Sequence, residues 1–178
     1  MGVASLTLRP AVPMGHVTGV PFVAALAVAG ALGARVAWPH EVVGADAGPI
    51  ASVRARAGYD DEGIYVTCDI VPRGEKDLDA EALSCAVREA VDAWASSVAA
   101  GRAAAGPLAP VLSDYFDALA SMGEDVEVLR AGRAVARGTL VAVDVWGRAT
   151  VRLADGRELE LAPEQAELRR IVTGCRGA

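Results

Sequence analysis

Hydrophobic and polar positions alternate first at Ser5–Pro10 (SLTLRP), where Leu6 and Leu8 interleave with Thr7 and Arg9. That two-residue period predicts a strand, ended by proline. Thr18 and Pro21 then open an alanine-rich helix through about Leu32, closed by Gly33. Arg35–Trp38 reads as a short strand stopped by Pro39, Ile50–Arg56 as a weak strand, and Tyr59–Gly63 as a turn. The β-branched run Ile64–Pro72 (IYVTCDIVP) predicts a stronger strand, followed by a polar loop over Arg73–Asp77. Asp79 suits a helix N-cap. Behind it Leu83, Val87, Val91, Trp94 and Val98 recur at helical spacing until Gly101, the apolar stripe of an amphipathic helix. An Ala-Gly-Pro connector spans Ala99–Pro110. A further helix is predicted over Pro110–Ser121, with Leu112, Tyr115, Phe116 and Leu119 on one side.

The period changes after Gly123. Val126 and Val128 alternate with acidic residues, Ala131-Gly132-Arg133 turns, Val135–Val145 is a long β-branched run, and Trp146-Gly147-Arg148 turns again. Thr150–Leu153 and Glu158–Leu161 flank Asp155-Gly156, a strong two-residue hairpin signal. The predicted fold is α+β. Residues 1–122 form a mixed β-sheet packed with helices, residues 123–171 a small antiparallel β-barrel, and residues 172–178 a tail.

Composition narrows the function. The chain has 178 residues, 17 basic and 23 acidic, for a net charge of −6. Its acids concentrate after residue 58, which argues against a nucleic-acid partner, because phosphate binding needs a cationic stripe. Lys76 is the only lysine, so lysine-dependent chemistry has one candidate. Cys68, Cys85 and Cys175 are widely spaced and odd in number, the pattern of reduced thiols in a cytoplasmic protein. Ala11–Ala34 carries no charge and is long enough to span a bilayer. Two prolines, four glycines and an alanine-rich composition favour a buried helix over a membrane helix, and no membrane association is expected.

Most chemical signatures are absent: GxGxxG, GxxxxGK[ST], GxSxG and HExxH do not occur. His16 and His40 have no cysteine near them, so no metal site is expected. Arg130–Gly138 (RAGRAVARG) clusters three arginines, but its place between two strands predicts a solvated hairpin. Val36–Val42 (VAWPHEV) is the one unusual combination. It predicts either an aromatic lid on the core or a pocket wall that stacks a ring with polar groups at its rim. If a ligand pocket exists, its predicted lining is Trp38, His40, Glu41 and Arg54.

The order SLTLRP, alanine-rich helix, VAWPHEV, GPIASVRAR and IYVTCDIVP resembles the latter part of the biotin protein ligase catalytic domain. The stretch Leu108–Leu129 and the hairpins ending AELR resemble that family's last helix and small C-terminal barrel, so the resemblance spans about residues 3–170. It implies a class II synthetase-like fold. It also implies use of biotin, ATP and Mg, formation of biotinyl-adenylate, and transfer to a lysine of a carrier domain. The family's Lys-Trp-Pro-Asn-Asp is here Ala37-Trp38-Pro39-His40-Glu41, and its lysine before Leu-Ala-Gly-Ile is here Pro49. Thr67 and Asp69 stand where the family's glycine-rich strand lets a ligand approach the backbone. The family's arginine-glycine phosphate loop precedes the strand matching SLTLRP, with which this sequence begins. The expectation is therefore an impaired biotin protein ligase-like chain without catalytic residues of its own. The expected partners are a biotin carrier domain or a complementing polypeptide, and the expected assembly a homodimer. The alternatives are a non-catalytic interaction or small-acid-binding protein, and one half of a split ligase.

Overall fold

A computed structural model describes residues 4–73 and 78–171; Lys76, Cys175 and the 172–178 tail lie outside them. The first sheet contains β1 (Ala4–Leu8), β2 (Arg35–Ala37), β3 (Glu41–Val43), β4 (Pro49–Asp60) and β5 (Gly63–Pro72), in the order β1-β5-β4-β3-β2. The mixed sheet of the sequence reading is corrected here. Every ladder among the described residues is antiparallel, and the parallel contact is a lone bridge between Val36 and Leu119. Short turns between neighbouring strands, such as Asp60–Gly63, produce this by reversing the chain.

Alternation along the strands gives the sheet two chemically different faces. Leu6, Leu8, Val42, Val53, Val66, Cys68 and Ile70 are buried, on the side covered by α1 (Val20–Ala31) and α2 (Ala80–Ala99). Register places Glu41 opposite Ser52 and Arg54 opposite Asp69, so these residues occupy the other face. All five stripe residues of α2 are buried, and the Asp79 carboxylate accepts the Glu81 and Ala82 amides as predicted. The segment Met14–Ala31 is apolar enough to cross a membrane, but seven residues of α1 are buried in the protein interior. That burial is the behaviour of a core helix.

The final helix, α3 (Leu112–Ala118), is shorter than the Pro110–Ser121 expectation. Leu119 already adopts an extended backbone, because its neighbour Ala120 donates its N–H to the Val36 carbonyl at 2.8 Å and caps the β2 edge. The second sheet comprises β6 (Asp125–Arg130), β7 (Arg133–Val143), β8 (Ala149–Leu153), β9 (Glu158–Leu161) and β10 (Glu167–Arg170). Its order is β10-β6-β7-β8-β9, all antiparallel. Among the described residues no ladder joins β9 to β10, so the small barrel expected from sequence is a five-stranded antiparallel sheet that these ladders do not close. Its buried residues, among them Val128, Leu140 and Val151, form one continuous cluster with the core of the first sheet. Two polar links join the halves: the Trp38 indole N–H donates to the Gly147 carbonyl at 2.8 Å, and the Leu108 amide to the Val145 carbonyl at 2.9 Å.

Candidate functional site

The turn between β2 and β3 builds the site. Trp38 is only 1% exposed and tied to Gly147, while the Tyr115 hydroxyl donates to the Pro39 carbonyl at 2.8 Å; the Trp38–Pro39 peptide is cis. Gly147 has φ +80, and a side chain there would run into the Phe22 ring, so only glycine lets the β7–β8 turn approach this closely. The turn is thus held from both sides, and His40 and Glu41 leave it in fixed positions. The His40 carbonyl accepts the Val53 amide at 3.1 Å, which ties the turn to β4.

Four side chains predicted from sequence, Trp38, His40, Glu41 and Arg54, line one cavity of about 750 Å³ between the two sheets. A neighbouring cavity of about 410 Å³ lies against α1 and shares His40, Val53, Arg54 and Pro163 with the first. His40 packs edge-on against Phe22 with ring centroids 4.5 Å apart, and its Nε2 is buried without a hydrogen-bond partner. Burial pulls its pKa down to about 4, so the ring is neutral at physiological pH. Burial pushes the Glu41 carboxyl up; the Arg73 guanidinium, 3.2 Å away, works against that, and Glu167 adds to it. Arg54 is exposed at the cavity mouth and forms no ion pair within the described residues.

Sequence reasoning missed Ser52, Arg73 and Glu167, which also line the larger cavity. Alternation from Arg54 would have put Ser52 on its face. Arg73 and Glu167 reach the site through tertiary packing and leave no local signal. The RAGRAVARG segment is a hairpin, as expected. Arg137 donates to Glu127 through Nε at 3.0 Å, and Arg169 from β10 grips the other carboxylate oxygen. Those two arginines hold the Glu127 carboxyl below its ordinary pKa. Among the described residues no group of three or more His, Cys, Asp or Glu side chains is placed to hold a metal ion.

No protein-family model matches the chain. No curated protein matches it. Solved structures do. The apo biotin protein ligase of Aquifex aeolicus superimposes with a TM-score of 0.66 at 19% identity, covering 95% of this chain and 82% of the other. The same organism's enzyme in complex with biotin and ATP gives a TM-score of 0.65 at 18% identity, covering 95% and 78%. The fold is that of a biotin protein ligase. Within this biotin ligase-like fold, Ala37 and Pro49, the two positions singled out from sequence, both line the larger cavity. Thr67 and Asp69 lie on β5, where Asp69 accepts the Ser5 hydroxyl at 2.6 Å and Thr67 pairs with Thr7 and Arg56.

Proposed function

We propose that this chain keeps the biotin ligase scaffold and its cleft between the sheets but is impaired in ATP-dependent ligation. The observation that carries the reading is the cavity wall. Ala37 and Pro49 line it at the two positions where the resemblance calls for lysine. The arginines nearby are committed: Arg73 to Glu41, Arg169 to Glu127 and Arg170 to Glu124. Among the described residues lining the cavity, Arg54 is the cation without a carboxylate partner. A charge-assisted hydrogen bond contributes about 1.5–3 kcal/mol. Two missing lysines therefore remove about 3–6 kcal/mol, or roughly two to four powers of ten in rate at ~1.4 kcal/mol each. A lowered affinity for the adenylate follows from the same deficit, because the acyl phosphate meets three carboxylates on the cavity lining, Glu41, Asp46 and Glu167. Free Cys68 and Cys85 fit a reducing cytoplasmic setting.

Isothermal titration with biotin and with biotinyl-adenylate tests this. The expected result is no binding of either at micromolar concentrations; micromolar binding of the adenylate contradicts the reading. The open edge of β1 favours a second one, a ligase completed by another polypeptide. Among the described residues β1 pairs only with β5, so its outer backbone groups are available to an added strand. In that case adding the complementing polypeptide restores labelling of a biotin carrier domain.

A further inference from the structure

The larger cavity carries a charge arrangement that impaired ligation does not account for. Glu41 and Ser52 face each other across β3 and β4, and Arg54 follows two residues along on the same face. Ser52 is 4% exposed, and its Oγ has no hydrogen-bond partner. Leaving a buried hydroxyl unpaired is costly, so such groups point to an occupant. The neighbouring Arg54 guanidinium also lacks a carboxylate partner among the described residues, although Arg73, Arg169 and Arg170 each have one. Glu41 is undercompensated in the opposite sense. One Arg73 nitrogen reaches it at 3.2 Å and the Arg54 charge also favours its ionised form, yet burial still raises its pKa and Glu167 adds repulsion. One short stretch of sheet thus holds a buried hydroxyl without a partner, an exposed guanidinium without a carboxylate partner among the described residues, and a carboxylate held by a single arginine nitrogen.

A simple anion would answer Arg54 and Ser52 but meet the repulsion of Glu41 and Glu167. A simple cation could be met by the Ser52 hydroxyl oxygen but would be repelled by Arg54. Apolar surface from Trp38, Pro39, Leu129 and Leu168 completes the lining. We propose that this cavity binds a small zwitterion, an amino acid with an apolar side chain. Its carboxylate sits on Arg54 and the Ser52 hydroxyl, and its ammonium on Glu41 and Glu167. The site stands independently of the ligation reading, since neither interaction uses ATP, biotin or a carrier.

Calorimetric titration of the full chain with free phenylalanine, hydrocinnamate and phenethylamine separates the contributions. The zwitterion is expected to bind at least tenfold more tightly than either analogue that lacks one charge, because each lost charge removes a charge-assisted contact worth about tenfold or more. Arg54→Leu brings phenylalanine down to the level of phenethylamine, and Ser52→Ala weakens it several-fold, with unchanged far-UV circular dichroism. The comparison on the unaltered chain stands even where a variant fails to fold. Absence of binding at millimolar phenylalanine, or equal binding of hydrocinnamate or phenethylamine, overturns the proposal.

Discussion

His40 makes the protein sensitive to acid in a definite window. Its ring is buried against Phe22 with Nε2 unpartnered, and its pKa falls from 6.5 to about 4 in the folded chain. The unfolded chain therefore binds this proton more readily, and stability rises with pH wherever the two states differ in protonation. The contribution is complete above pH 6.5 and disappears as pH falls toward 4. Integrating over that window, this one group lowers stability by about 3 kcal/mol at pH 4 relative to pH 7. Glu41 acts in the opposite sense: its raised folded pKa makes its contribution present at low pH and lost as pH rises. Asp60, Glu127 and Asp155, whose carboxyls are held low, add acid lability of their own. A comparison of the unaltered chain with His40→Gln isolates the histidine. Urea unfolding followed by far-UV circular dichroism at fixed ionic strength, from pH 7 to pH 4, supplies both curves. The unaltered chain should lose about 3 kcal/mol more than the variant across the range. Parallel curves, differing by less than about 1 kcal/mol, would refute the claim that the ring is buried and neutral.

Two further substitutions probe the scaffold. Trp38→Phe removes the donor that reaches Gly147 and strands a carbonyl between the sheets, which should cost about 1–3 kcal/mol in urea unfolding. A loss below about 0.5 kcal/mol would mean that this contact does not join the halves. Asp79→Ala deletes the N-cap of α2 and should cost about 1 kcal/mol, readable as a lowered thermal midpoint; an unchanged midpoint would show that packing alone fixes the helix start.

The elements that sequence revealed are those whose signal is local. The stripe Leu83–Val98 needed only helical spacing, and Asp155-Gly156 needed only turn chemistry: Gly156 has φ +83. What sequence hid depends on partners distant in the chain. β3 has three residues, too few for a period, and exists because β2 and β4 flank it. β10 reads Glu-Leu-Arg-Arg with one buried residue, Leu168, and is a strand by virtue of pairing with β6. β4 runs on to Asp60, beyond the expected Arg56, because Ala57, Gly58 and Tyr59 pair with β5 despite weak propensity. The site divides in the same way. Trp38, His40 and Glu41 stood out as one unusual segment, and Arg54, named with them as lining, lies on the neighbouring strand β4. Arg73 and Glu167 arrive from outside that segment, and the resemblance to biotin protein ligases spoke to the scaffold rather than to them. The lone-lysine composition matters for a spatial reason: both expected lysine positions, Ala37 and Pro49, sit on the cavity wall.

We propose that a ligase-like scaffold persists here without effective ligation. Incubation of the chain with biotin, ATP, Mg and a biotin carrier domain, followed by mass spectrometry of the carrier, tests it directly. The account predicts a carrier mass that stays unmodified over hours. Stoichiometric addition of one biotinyl group by the chain alone would contradict it.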